Sequence, residues 1–135
     1  MDYDAVAALL VRYCDLMDAG DWDGVGALFS DGALLAPDGS ELARGADAVA
    51  AFYASMVVLH DGSPRTKHLV LGTVVDPQDD GAVVARSSYL VLQDLDGELR
   101  PIVTGRYLDR IAGGRFLERR FFVDLAGDLS RHLRR

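Results

Sequence analysis

Asp18 and His68 are the two side chains whose types best suit proton transfer in this chain. Imidazole titrates near neutral pH and is the usual general base when a carboxylate orients it. Asp18 falls at the border of the apolar face of a predicted first helix, near Cys14 and Ala7. It also stands in the last turn, where a carboxylate opposes the helix dipole at a cost of about 0.3–1 kcal/mol. A residue that breaks a local rule marks a candidate site. The alternative is that Asp18 caps the turn Ala19-Gly20-Asp21. His68 shares one face of a predicted strand with Thr66, Val70, Gly72 and Val74. The other face begins with Lys67, which suits solvent, so His68 points inward as a base or as a hydrogen-bonded core residue. His60 and His132, at a helix end and in the C-terminal tail, are expected in solvent.

Three further groups could assist. Arg119 and Arg120 are adjacent and point to opposite sides of a regular strand. Arg120 has the parity of Phe116, Phe122 and Asp124, so it is the one expected inward, where a guanidinium holds an anion or a leaving group. Arg119 is expected as a surface charge. Asp124 either pairs with Arg120 or closes the strand end. Tyr13, Tyr53 and Tyr89 offer hydroxyls to the rim of an apolar cavity, or simply pack with the hydroxyl satisfied. Cys14 is the sole cysteine, so neither an internal disulfide nor a multi-cysteine metal site can form. It lies in an apolar helical run and reads as core. Gly24-Val25-Gly26 lies within a helix and is not a phosphate loop. Neither His-Glu-x-x-His nor a serine-nucleophile elbow occurs, and no metal or organic cofactor is expected.

The elements that must position these groups follow from periodicity. Val6, Leu10, Tyr13 and Met17 recur at helical spacing over 4–19, and Gly20 ends the run. Asp21 caps a short helix over 22–29, buried through Trp22, Val25, Leu28 and Phe29. A short strand over 33–36, a turn at Pro37-Asp38-Gly39 and a third helix from about 45 to 60 follow. Val49, Phe52, Tyr53 and Met56 form the apolar stripe of that helix. Four β-rich stretches come next, at 66–75, 82–93, 100–111 and 115–125, separated by short turns that imply antiparallel neighbours. Helices first and strands after indicate an α+β fold with the helices on one face of a curved antiparallel sheet. In the last strand both parities carry large apolar residues, so the outer sheet face is expected to meet another subunit.

Composition narrows the partners. The 135 residues suit one domain, expected over 1–128, with a basic, solvated tail over 129–135. The formal net charge of −7 disfavours a nucleic-acid partner. No apolar run approaches the ~20 residues that span a bilayer. The opening Met1-Asp2-Tyr3-Asp4 lacks the basic region of a signal peptide, and a cytoplasmic setting is expected.

Arg12-Tyr13-Cys14-Asp15-Leu16-Met17-Asp18-Ala19-Gly20-Asp21-Trp22-Asp23, followed by Leu28-Phe29-Ser30-Asp31, resembles the opening of SnoaL-like domains of the nuclear-transport-factor-2-like superfamily. Thr66-Lys67-His68, Gly105-Arg106-Tyr107-Leu108-Asp109-Arg110, and Arg119-Arg120 with Asp124 resemble later signatures, so the likeness runs over residues 3–126. It implies a cone-shaped barrel around an apolar pocket. The branch most similar includes scytalone dehydratase and hexachlorocyclohexane dehydrochlorinase, which use an Asp–His pair as the base of an elimination. By position Asp18 and His68 match that pair, and Arg120 matches an arginine at the pocket end of the last strand. Where the family's last strand carries a tryptophan after its turn, this chain has Arg115-Phe116. Tyr13, Cys14, Phe52, Tyr53, Met56, Ser88, Phe122 and Asp124 are then the expected pocket lining. The resemblance implies a homodimer or homotrimer. It leaves two functions open, because the scaffold hosts unrelated activities. One is a lyase, isomerase or polyketide-type cyclase acting on a small hydrophobic molecule. The other is a noncatalytic binding or assembly module, in which the pocket holds a ligand or is filled by side chains such as Phe52, Met56 or Phe122.

Overall fold

The computed structural model describes residues 2–134. Arg135, the last residue of the expected tail, and Met1, the first of the acidic opening, lie outside them. Helix α1 spans Tyr3–Ala19, with Asp2 as N-cap accepting from the Ala5 amide at 2.8 Å. It ends at Gly20, whose left-handed backbone (φ 69°) returns its N–H to the Leu16 and Met17 carbonyls. Helix α2 spans Trp22–Ala27, capped by Asp21 on the Gly24 amide. Strands β1 (Ala33–Leu35) and β2 (Glu41–Arg44) form a small hairpin, and α3 covers Ala46–Met56. Strands β3 (Thr66–Pro77), β4 (Val83–Leu95), β5 (Glu98–Ala112) and β6 (Arg115–Ala126) complete a six-stranded sheet of order β2-β1-β6-β5-β4-β3.

The α+β architecture is that expected, with N-terminal helices packed on a curved sheet that does not close. Three details differ. Strand β2 was not legible, because four residues with one buried apolar side chain, Ala43, leave no alternation to read. Strand β1 joins β6 in parallel, although every other pairing is antiparallel. Helix α3 stops at Met56, because Val57 turns extended and bridges to Leu133 of the C-terminal segment.

The tail expected in solvent is therefore part of the packed body. The Val58 amide donates to the His132 carbonyl at 2.8 Å, and the Arg134 amide to the Met56 carbonyl at 2.8 Å. Gln93 and His60 side chains both reach the Arg131 carbonyl. In the core, Phe29 and Phe116 are fully buried and stacked at 5.0 Å. Burying each such side chain contributes about 1.5–3 kcal/mol.

The curvature comes from β-bulges, each leaving one residue without a cross-strand partner. The registers place them at Gly72 in β3, Ile102 in β5, and Leu117 and Asp124 in β6. The bulge at Leu117 matters most for the site. Before it Phe116 points inward; after it the parity flips, and Arg119, Phe121 and Val123 take the inner face.

Candidate active site

The end of α1 and the start of β3 meet at one point. There the Asp18 carboxylate accepts from the His68 backbone amide at 2.9 Å and from the Thr66 hydroxyl at 3.0 Å. The His68 Nδ1 lies 2.6 Å from Asp18 Oδ1. A carboxylate has no proton to offer, so Nδ1 carries the hydrogen, and in the neutral tautomer this leaves the lone pair on Nε2. Backbone and hydroxyl donors thus fix the carboxylate, and the carboxylate fixes the tautomer of the ring. The His68 and Asp18 side chains are 6% and 14% exposed.

His68 lines a cavity of about 160 Å³ bounded by α1, α3, β3–β6 and the C-terminal segment. Its apolar wall includes Met17, Leu34, Val91 and Val103, and its polar groups are Tyr13, Tyr53, Tyr89, Tyr107, Arg119 and His132. The Tyr13 and Tyr53 hydroxyls share a short hydrogen bond. Burial raises both phenols, so at neutral pH they remain proton donors. Tyr89 gives its hydrogen to the Phe122 carbonyl at 2.9 Å. It can approach because residue 105 is glycine, where a Cβ would collide with both groups.

Arg119 is the most unusual residue of the wall. It is fully buried, and its guanidinium carbon stands 3.4 Å from the Tyr107 ring centre and 4.1 Å from that of Tyr13. Asp109, also fully buried, is its counter-charge at 3.3 Å. No aligned hydrogen bond joins them, and Nε, Nη1 and Nη2 all lack a partner. Burial pushes the Asp109 carboxyl up to about 7 against the pull of Arg119. Each unmet buried donor costs about 1–3 kcal/mol. Such an arrangement is hard to explain as stabilisation.

The structure sorts the expected site residues into two groups. Asp18 and His68 come together, and Tyr13, Phe52, Tyr53 and Met56 line the cavity beside His68. The others do not reach it. Arg120 stands on the outer side, donating from Nε to the Pro37 carbonyl at 2.9 Å, and Arg119 takes the inner place because of the Leu117 bulge. Phe122 follows the same flip and packs between Arg106 and Arg120, leaving Phe121 in the wall. Asp124 pairs with Arg106 at 3.0 Å, outside the cavity. Ser88 is exposed, because β4 turns Ser87, Tyr89 and Val91 inward. Cys14 is core behind the wall, its thiol pushed up to about 11 by burial.

Arg119 and His132, expected at the surface, are buried in the cavity wall, and Asp109 was given no role. Asp109 was the findable one, because it shares an inward parity with Tyr107 and Ile111. Among the described residues, no three His, Cys, Asp or Glu side chains cluster to hold a metal ion, and no helix is long and apolar enough to cross a membrane.

Comparison with known proteins agrees with this fold. The sequence model for the SnoaL-like domain matches residues 1–113. No curated protein matches the chain by sequence. Among solved structures, a point variant of Rv3472 of Mycobacterium tuberculosis, a protein of unknown function, is 25% identical. It superposes with a TM-score of 0.73 over 93% of this chain and 78% of its own. ActVI-ORFA of Streptomyces coelicolor is 21% identical, with a TM-score of 0.69 over 90% of this chain and 96% of its own. A scytalone dehydratase-like protein of Novosphingobium aromaticivorans is 19% identical, with a TM-score of 0.70 over 93% and 85%. Likeness at this level shows the fold.

Proposed function

The chain belongs to the SnoaL-like domain family, and from that membership and the cavity geometry we propose a cofactor-free lyase or isomerase of dehydratase type. Its substrate is a small hydrophobic molecule bearing a carbonyl. The observation that carries this reading is the buried Asp18–His68 contact at 2.6 Å on the wall of an open apolar cavity. Such a pair is the arrangement of a base poised for carbon acids.

The proton beside the carbonyl goes to His68 Nε2, giving an imidazolium stabilised by Asp18. The electron pair moves to the carbonyl oxygen, against the donors of Arg119 and the Tyr13–Tyr53 pair. In an elimination, a β-hydroxyl then leaves, takes the proton back from His68 and departs as water. In an isomerisation, His68 returns the proton to another carbon. A cyclase shares the first step, the enolate carbon attacking a second carbonyl instead. The cavity limits the body of the substrate, since a cavity of ~150 Å³ holds one benzene-sized ring.

The test needs no knowledge of the natural substrate. In D₂O the protein should accelerate deuterium uptake beside the carbonyl of cyclohexanone by on the order of 10²-fold or more, followed by NMR. H68A should return the rate to that of buffer. D18N should lose most of the acceleration, because it frees the ring to take the wrong tautomer. Wild-type exchange no faster than buffer would count against a catalytic base and favour the binding module.

A further inference from the structure

The C-terminal segment brings a second imidazole into the same cavity. His132 is 5% exposed and lines the cavity with His68, the two ring centres 6.3 Å apart. Its Nδ1 is buried and has no hydrogen-bond partner. Nothing about the position is loose. The backbone carbonyl of His132 holds the Val58 amide, Leu133 bridges to Val57, and the preceding carbonyl of Arg131 takes His60 and Gln93. A rigidly placed ring with a buried, unmet nitrogen forgoes about 1–3 kcal/mol unless something else meets it.

We infer that His132 is a ligand-binding residue of the cavity, its imidazole taking a hydroxyl of the bound molecule whose carbon His68 deprotonates. This rests on the reading of the cavity as a site for an oxygenated small molecule. Geometry and chemistry select the hydroxyl. Burial, together with the neighbouring His68, depresses His132 to about 4, so the ring is neutral near pH 7. A neutral imidazole has one donor and one acceptor nitrogen, and a hydroxyl can serve either. A carboxylate there would face the Asp18 charge. A methyl group would leave the nitrogen unmet. The inference adds to the substrate class a second oxygen, a hydroxyl within reach of His132.

The experiment compares two ligands of one shape, 4-hydroxyacetophenone and 4-methylacetophenone, on the full chain by titration calorimetry and NMR. Wild type should bind the hydroxyl compound about tenfold more tightly, a difference of ~1.4 kcal/mol that suits one hydrogen bond to a buried nitrogen. H132L should bring the two affinities within about twofold of each other, while H132Q should keep most of the preference. The ¹⁵N resonances of the His132 ring in the unmutated protein should move with the hydroxyl compound and not with the methyl one, a readout independent of whether a variant folds. Equal affinities in wild type, a preference that survives H132L, or a His132 ring that does not respond would overturn the inference while leaving the His68-dependent exchange reaction intact. Failure of both ketones to bind at millimolar concentration would overturn the cavity reading and this inference together.

Discussion

Arg119 and Asp109 face each other without an aligned hydrogen bond, in surroundings made largely of aromatic rings. Two ions taken out of water recover little net stability from their attraction, and removing one of them strands the other. R119M should therefore destabilise the protein by about 3–5 kcal/mol in urea unfolding, because Asp109 loses its counter-charge. The double variant R119M/D109L should recover the loss or exceed wild type. Both variants should still have lost the acceleration of carbon-acid exchange. If the double variant were as unstable as the single one, the pair would be structural and its place in the site fortuitous. Asp18 differs because its three donors are all satisfied by geometry set before any ligand arrives.

At the scale of elements, the C-terminal segment and the β-bulges decide what the cavity contains. The segment carries a titration signature. His132 is held near 4 in the folded protein and returns to about 6.5 when exposed. A base with a depressed folded value binds fewer protons folded than unfolded in that interval. Its contribution to stability is thus full above about pH 6.5 and is lost as pH falls toward 4. Asp109, raised to about 7, works in the opposite sense: its stability contribution is full below its unfolded value and is lost as pH rises toward 7. The groups acting electrostatically on His132 are His68, His60 and Asp18. Comparing wild type with H132Q removes what the two proteins share. Wild type should lose stability relative to H132Q by about 1.4 kcal/mol per pH unit between pH 6 and 4.5. Parallel stability curves for the two proteins over that range would show that His132 does not titrate with folding.

For the whole molecule, the outer sheet face bears on assembly. Cross-strand neighbours there form rows: Val74, Arg86, Leu108 and Arg120 in one, Leu71, Ser88, Arg106 and Phe122 in another. Leu71 and Val74 are about half exposed, and Leu108 is 36% exposed. We propose that this face joins two copies of the chain, burying on the order of 1,200 Å² or more in total. Wild type should sediment as a dimer at micromolar concentration. L108R, which would bring a third positive charge into the row of Arg86 and Arg120, should sediment as a monomer with unchanged helix and strand content. A monomeric wild type would place the apolar residues of this face in solvent and refute the assembly.

Local periodicity determined much of this protein. The spacing of apolar residues placed α1, α2 and the four long strands close to where they stand, and it turned His68 inward on β3. The short turns made those strands antiparallel neighbours, and a carboxylate in a dipole-opposing helix turn singled out Asp18. Each of these signals lies within a few residues of its effect. The exchange of Arg120 for Arg119 was not legible, because alternation assumes an unbroken pleat. The extra residue Leu117 is left unpaired only by the register of β6 against β5. Phe122 followed the same flip, Asp124 was taken by Arg106 on a neighbouring strand, and Ser88 lay on the outward parity of β4. The end of α3 at Met56 and the burial of His132 both depend on one long-range bridge, Val57 to Leu133. A contact between segments so distant in sequence leaves no local period, and only the packed molecule decides it.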